Sequence, residues 1–207
     1  MSYIDSLPNL LMCTPIALAM SAHCCAEFTV STGNGASWLQ SNPAHETIDF
    51  TEYPHNTPIR EQYSNLGVHF TDTDGNWIIS NAPDTYLQDG CGINGNQFLE
   101  ITFDRPMVAF ATYFPGFEYF TFFSGEQQLF ATGAMGGGGT NRFVGFTTDV
   151  PFDRVLLHGL PPNIFGVIFQ VFLDDVYFSS VPGPGGAAMA ILAGALARPR
   201  RRRDSSS

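Results

Sequence analysis

Apolar residues between positions 27 and 180 recur at every second position or in short continuous runs, and turn-forming residues separate them. Alternation at every second position is typical of half-buried β-strands, and no window shows the 3.6-residue period of an amphipathic helix. The predicted strands are Thr47–Thr51, Gly67–Thr71, Asn76–Ser80, Phe98–Phe103, Met107–Phe114, Tyr119–Phe123, Gln127–Thr132, Arg142–Thr147, Arg154–His158 and Phe165–Phe178.

Turn chemistry stands between these runs, at Asp74-Gly75, at Ser124-Gly125 and at Asp104-Arg105-Pro106. Many short strands joined by such turns predict an all-β fold, a single jelly-roll-like β-sandwich over Glu27–Ser180. The chain contains 19 phenylalanines, and 44% of its residues are hydrophobic, which is enough for a sizeable core. Most aromatic side chains are therefore expected inside the sandwich rather than at a binding surface.

The charge of the predicted sandwich is strongly negative, with four arginines against seventeen carboxylates between Glu27 and Ser180 and no lysine in the whole chain. Affinity for nucleic acid depends on Lys and Arg contacts with phosphates, so this balance excludes a nucleic-acid partner. The surface favours cations instead.

The first 26 residues have the pattern of a secretory signal peptide. An apolar run over Leu7–Ala22 precedes small residues that end at Ala26, although no Lys or Arg stands before the run. The alternative is an N-terminal helix that packs into the core. Removal of this segment would leave Cys91 as a single cysteine, and the alternative is a disulfide between Cys91 and a retained Cys24 or Cys25.

The last 27 residues, 181–207, contain three consecutive parts. Val181, Pro182, Gly183, Pro184 and Gly185 end the last strand, because prolines and glycines interrupt it. An apolar run over Gly186–Ala197 follows; as a helix it would span about 18 Å, less than the ~30 Å hydrocarbon core. An arginine cluster that includes Arg200, Arg201, Arg202 and Arg203 then predicts that this end stays on the cytoplasmic side.

This order of a proline-glycine motif, a short apolar helix and a terminal arginine cluster resembles the PEP-CTERM sorting signal of exported bacterial proteins. The motif here lacks the usual glutamate of that family, and its apolar run is short. The resemblance implies an exosortase-like membrane protease or transpeptidase as partner, transient anchoring in the inner membrane, and delivery to the cell surface or extracellular matrix. The alternative is a plain C-terminal membrane anchor.

The central segments Glu46–Phe70, Ile101–Val108, Phe143–Val155 and Phe172–Phe178 resemble the jelly-roll domain of many PEP-CTERM proteins, which is similar to galactose-binding and carbohydrate-binding modules. In a jelly roll the first and last strands lie side by side. Four carboxylates would then approach one another, namely Glu46, Asp49, Asp174 and Asp175. Clustered carboxylates without arginine partners suit a hard cation, and the resemblance implies a structural calcium here. The alternative is that Asp174 or Asp175 caps a bulge and the others are solvated.

Aromatic residues in polar loops are the best candidates for stacking on a sugar, and these are Trp38, Trp77 and Tyr86. Catalytic motifs are absent from the sequence: it contains neither a G-x-S-x-G elbow nor H-E-x-x-H. We therefore expect an exported surface or matrix protein without enzymatic activity. The alternatives are a carbohydrate-binding module with a structural calcium, which would bind an extracellular polysaccharide, and, more remotely, a small glycosidase.

Overall fold

The computed structural model describes residues 26–72, 78–80, 91–95, 97–137, 141–159 and 171–181. Within these ranges the chain forms eleven β-strands, one short α-helix and one 3₁₀ turn, Ser64–Leu66. The predicted all-β class is confirmed. The expected signal segment and the apolar helix of the tail lie outside the described residues, apart from Ala26 and Val181.

The strands are antiparallel throughout. In chain order they are β1 Phe28–Thr32, β2 Glu46–Ile48, β3 Val68–Asp72, β4 Ile78–Ser80, β5 Gly92–Gly95, β6 Phe98–Phe114, β7 Phe117–Ser124, β8 Gln127–Ala131, β9 Met135–Gly136, β10 Arg142–Gly159 and β11 Val171–Ser180. The helix α1, Gly35–Ser41, lies between β1 and β2.

Two long strands, β6 and β10, belong to both layers of a β-sandwich. The second half of β6 pairs with the first half of β10 and with β11, and β1 and β2 extend this layer at its two edges. The first half of β6 pairs with the second half of β10 and with β3, and β7 and β8 continue that second layer. The register of β10 shifts between Thr147 and Phe152, where the strand passes from one layer to the other.

Phenylalanine rings fill the space between the layers. Phe146 of the first layer contacts Phe120 and Phe122 of the second, with ring centroids 5.2 and 4.7 Å apart. Phe110 contacts the same two rings at 6.4 and 6.1 Å. These four side chains have no solvent exposure. The predicted role of the phenylalanines as core residues is confirmed.

A second, smaller cluster lies on the opposite face of the first layer, which we call the outer face. It consists of Trp38, Ala109, Ala111, Phe143 and Tyr177. Helix α1 covers this face and supplies Trp38, so residues 109–112 of β6 are buried on both sides.

Several strand boundaries differ from prediction. The expected turn at Asp104-Arg105-Pro106 is wrong, because β6 continues through it from Phe98 to Phe114. These three residues are exposed and have no partner in the described ladders, so the proline interrupts no ladder hydrogen bond. The turn at Ser124-Gly125 is confirmed: Gly125 adopts φ 54° in the hairpin between β7 and β8. Asp74-Gly75 lies outside the described residues.

Glu118 is a carboxyl group on the core face of β7, on the same side of the strand as Phe120 and Phe122. It is 1% exposed, and neither of its carboxyl oxygens makes a hydrogen bond of normal geometry with the described residues. Burial raises the pKa of Glu118 well above its ordinary value, and the backbone of Phe172 opposes the shift by a smaller amount. Burial therefore favours the protonated, uncharged form of this side chain in the folded state.

The substitution Glu118→Gln is predicted to stabilise the protein at neutral pH. The pKa of this carboxyl group is 4.5 in the unfolded chain and higher in the folded protein. As the pH rises between these two pKa values, the unfolded chain loses its proton first, so the folded protein loses stability. Glutamine removes this loss and keeps the side-chain shape. Urea unfolding from pH 4 to pH 8 should give a flatter profile for the variant, with a gain at pH 7 of about 1–3 kcal/mol.

Glu126→Gln is the matched control, because Glu126 is exposed in the neighbouring hairpin turn. It should leave the pH profile of unfolding unchanged. Parallel profiles for the native protein and Glu118→Gln would contradict the assignment of a buried neutral carboxyl at position 118.

Candidate functional site

A groove runs along the outer face of the first layer, between strand β1 and helix α1. Its volume is about 530 Å³, within the range of small-molecule binding sites. We call it the outer groove and define it by its lining residues, which are Thr29, Ser31, Thr32, Asn34, Ser37, Trp38, Ser41, Asn42 and Thr147.

Local hydrogen bonds hold helix α1 at the edge of the groove. The side chain of Asn34 caps the helix N-terminus by accepting a hydrogen bond from the backbone N–H of Ala36 at 3.0 Å. At the other end, the side chain of Asn42 donates to the carbonyl oxygen of Trp38 at 2.9 Å. A cap of this kind stabilises a helix by about 1 kcal/mol. This contribution is important for α1, because a helix of seven residues is unstable on its own.

Trp38 forms the floor of the outer groove. Its side chain is 5% exposed and packs on the outer-face cluster, 5.9 Å from the ring of Phe143. The indole lies directly over the backbone of Gly145, and no described residue bonds its buried Nε1. The expectation of an exposed ring in a polar loop was wrong, because the capped helix α1 turns Trp38 towards the sheet.

Hydroxyl groups dominate the walls of the outer groove. The side chains of Thr29, Thr32 and Ser37 are exposed, and those of Ser31 and Thr147 are partly exposed. Within the described residues none of these five hydroxyls makes a side-chain hydrogen bond, whereas Ser41 already donates to the carbonyl oxygen of Ser37 at 3.0 Å. The groove therefore offers uncharged groups that can each donate and accept.

Two further depressions adjoin the outer groove. The first, which we call the end cavity, has a volume of about 420 Å³ and is lined by Thr32, Gly33, Phe114, Met135, Gly136, Asn141, Arg142, Phe143 and Val144. The second, which we call the acidic end, measures about 280 Å³ and is lined by Glu27, Thr29, Thr147, Thr148 and Asp149. The outer groove shares Thr32 with the end cavity and shares Thr29 and Thr147 with the acidic end.

The structure does not bring the four carboxylates expected to bind calcium into one cluster. The predicted pairing of the strand at Glu46 with the last strand is confirmed, but the register places Glu46 opposite Phe178. Within the described part of the chain, which includes all four carboxylates, no group of three or more His, Cys, Asp or Glu side chains could hold a metal ion. Calcium binding by this chain stays a prediction.

Each of these carboxylates has a nearer polar partner. Glu46 forms an ion pair with Arg105, and Asp49 accepts hydrogen bonds from the N–H and the hydroxyl of Thr51 at 3.1 and 2.9 Å. The fully buried Asp174 accepts from the side chain of Asn141 at 2.7 Å, and Asp175 accepts from the hydroxyl of Tyr177 at 2.7 Å. Asp174 and Asp175 stand at a bulge in β11, the alternative that the sequence left open.

The remaining predicted site residues lie elsewhere. Trp77 and Tyr86 fall outside the described residues, as do Pro182, Gly183, Pro184, Gly185 and the arginine cluster. Val181 is described: its N–H donates to the carbonyl oxygen of Pro106 at 3.2 Å, directly after β11. Within the described ranges, no helix has the length and apolar character needed to cross a bilayer.

His69 is held between two carboxylates near one edge of the second layer. Its Nδ1 lies 2.5 Å from Glu61 Oε2, and its Nε2 lies 3.0 Å from Asp104 Oδ1. The hydrogen bond with Glu61 and, after it, the one with Asp104 raise the pKa of His69. An imidazolium that donates both N–H groups has no lone pair left to act as a base, so this geometry indicates a pH-dependent ion pair.

No protein-family model matches the chain, and no curated protein matches it. Among solved structures, it is similar to the K2 cleaved adhesin domain of Lys-gingipain, with 15% identity and a TM-score of 0.41 over 66% of this chain and 99% of that one. It is also similar to CBM51 from Clostridium perfringens GH95, solved in complex with methyl-galactose, with 17% identity and a TM-score of 0.29 over 64% and 99% of the two chains.

Sequence reasoning identified Trp38 but missed the rest of the outer groove. Thr29, Ser37 and Thr147 are distant along the chain and become neighbours only because β1 pairs with β10, which places Thr29 opposite Thr147. The available signal was Asn34 directly before a short segment without proline, which is typical of a helix N-cap.

The substitution Gly145→Ala is predicted to destabilise the protein by displacing Trp38. A Cβ atom at position 145 would lie 2.5 Å from Nε1 and Cδ1 of the indole, so the ring would have to move out of a packed cluster. Overpacking of this kind costs about 1–3 kcal/mol. Urea unfolding measures the loss, and Gly133→Ala is the control, since its added methyl group would meet no atom within 4 Å. Equal stability of the two variants would contradict the described position of Trp38.

The substitution His69→Gln is predicted to remove a pH-dependent part of the stability. A histidine with a raised folded pKa stabilises the protein fully below its unfolded value of 6.5, and this contribution disappears as the pH rises through the folded pKa. The native protein should therefore exceed the variant in stability at pH 5, and the two should converge at high pH. Urea unfolding across this range measures the difference, and a difference independent of pH would contradict the ion pair.

Proposed function

We propose that this chain is a non-catalytic protein of the bacterial cell surface or extracellular matrix that binds glycans in the outer groove. The observation that carries the proposal is a set of hydroxyls around Trp38 that make no side-chain hydrogen bond with a described residue, those of Thr29, Ser31, Thr32, Ser37 and Thr147. Sugar hydroxyls both donate and accept hydrogen bonds, and the threonine and serine hydroxyls of the groove complement them in both respects.

The polar lining of the outer groove supports a sugar ligand rather than an apolar one. Its walls are polar, and the packed indole of Trp38 lines its floor with only 5% of its surface exposed, so a ligand would meet mainly hydroxyls. Specific ligand sites commonly combine an apolar surface with a few convergent polar groups. The rigid β-layer below α1 holds these groups in place without a ligand.

The two ends of the chain support an extracellular setting. The apolar segment before Ala26 would direct export, and the tail from Val181 onwards would anchor the protein transiently in the inner membrane until an exosortase-like enzyme removes it. A protein delivered in this way would encounter the polysaccharides of its own matrix. The strongly acidic charge of the sandwich suits binding to uncharged sugar units better than to nucleic acid.

Removal of three groove hydroxyls is predicted to abolish most of the glycan binding. The variant Thr29→Val/Ser37→Ala/Thr147→Val removes hydroxyls without a described bonding role, so the fold should persist. Each lost hydrogen bond costs about 0.5–1.5 kcal/mol, so affinity for a bound polysaccharide should fall by roughly tenfold or more. The measurement is a polysaccharide panel followed by calorimetry, with and without a calcium chelator.

The matched control is Thr47→Val/Thr71→Val/Ser124→Ala, which removes three exposed hydroxyls outside the groove. It should bind like the native protein. Equal losses in both variants, or the absence of binding to every polysaccharide on the panel, would contradict the proposed function. Hydrolysis of any glycan on the panel would support the alternative that the protein is a small glycosidase.

A further inference from the structure

We propose that the end cavity is a subsite for the carboxylate of an acidic sugar, and that the ligand of this protein is a linear, uronate-containing polysaccharide lying along β1. The inference rests on the proposed function and specifies its ligand. Three observations support it: the lining residues that the depressions share, an arginine without an ion pair to any described residue at one end, and the carboxylates at the other.

Shared lining residues place the three depressions next to one another along β1. Thr32 lines both the outer groove and the end cavity, and Thr29 and Thr147 line both the outer groove and the acidic end. Strand β1 runs between them over five residues, which corresponds to about 17 Å. A surface of this length suits several consecutive sugar units better than a single terminal sugar.

Arg142 provides a free cation in the end cavity. Its side chain is exposed, and no described residue forms an ion pair or a side-chain hydrogen bond with it. By contrast, Arg105 is paired with Glu46, and Arg154 bonds Glu100 at 3.1 Å. A guanidinium group presents two parallel N–H donors that match a carboxylate, so Arg142 can bind a sugar acid in a two-pronged geometry.

The neighbouring residue in the end cavity, Asn141, is held in a fixed orientation. Its side-chain nitrogen donates to the fully buried Asp174 at 2.7 Å, which fixes the amide oxygen as the remaining acceptor. That oxygen has no donor among the described residues. A hydroxyl next to the bound carboxylate is the complementary group. One cation beside one acceptor fits a hydroxy acid, and uronic acids have this chemistry.

The other end of the surface has the opposite charge. Glu27 and Asp149 line it, and the backbone N–H of Glu27 donates to Asp149 Oδ1 at 2.9 Å. These carboxylates repel an acidic sugar and leave neutral units at that end. The charge difference along β1 therefore gives the bound chain a direction, with its acidic unit beside Arg142.

The test compares uronate oligosaccharides with their methyl esters, which keep the shape and remove the charge. The probes are oligosaccharides of increasing length that carry one galacturonate, glucuronate or mannuronate unit at one end and neutral units after it. Each is measured in both forms by calorimetry on the full chain. The native protein should bind at least one acid about tenfold more tightly than its ester, with affinity rising from the monomer to the longer oligomers. Salt should reduce this preference.

The variant Arg142→Gln should lose the preference for the acid and keep the affinity for the ester. Arg60→Gln is the matched control, because Arg60 is exposed, has no described ion pair, and lines none of the three depressions. It should behave like the native protein.

Equal affinity for acids and esters, an equal loss in Arg142→Gln and Arg60→Gln, or monomers that bind as tightly as oligomers would each overturn the inference. If neutral glycans bind and the triple hydroxyl variant loses them while acids show no advantage, the proposed function stands and the acidic subsite fails. If nothing on either panel binds, both fail.

Discussion

The contact between the phenylalanine rings of the two layers is the interaction on which the rest of the structure depends. Phe146 of β10 reaches Phe120 and Phe122 of β7, and Phe110 of β6 reaches the same pair. Burial of a phenylalanine side chain stabilises a fold by about 1.5–3 kcal/mol, so four such rings outweigh any single polar contact described above. Strands β6 and β10 run through both layers. The rings that form the core therefore also determine where each strand passes from one layer to the other.

The core determines the outer groove through the two-residue period of β10. Val144 and Phe146 point into the core, so Phe143, Gly145 and Thr147 must point to the outer face. Gly145 leaves room for the indole of Trp38, and Thr147 pairs with Thr29 to form one wall. A shift of one residue in the pairing of β10 would place Thr147 in the core and Phe146 on the surface. The core and the proposed binding surface therefore depend on a single register.

The sequence was sufficient for the fold class because strand periodicity and the phenylalanine runs are local signals. It was insufficient for helix α1, since seven residues are too few to show a helical period and the cap at Asn34 was overlooked. It also did not reveal the polar partners of the carboxylates. Glu46 is paired with Arg105 and Asp174 with Asn141, and both partnerships depend on long-range packing that no spacing reveals. The hydroxyl-lined groove depends on the pairing of β1 with β10. These strands are far apart in the sequence, so local patterns do not predict their pairing.

The outer groove is the proposed ligand-binding site of this protein. Nuclear magnetic resonance of the isotopically labelled chain, titrated with a polysaccharide that it binds, tests the claim most directly. The account predicts that the amide shifts of β1, α1 and the segment around Thr147 change together with the indole N–H of Trp38. Changes confined to β3, to the β7–β8 hairpin or to the indole of Trp77 would contradict it.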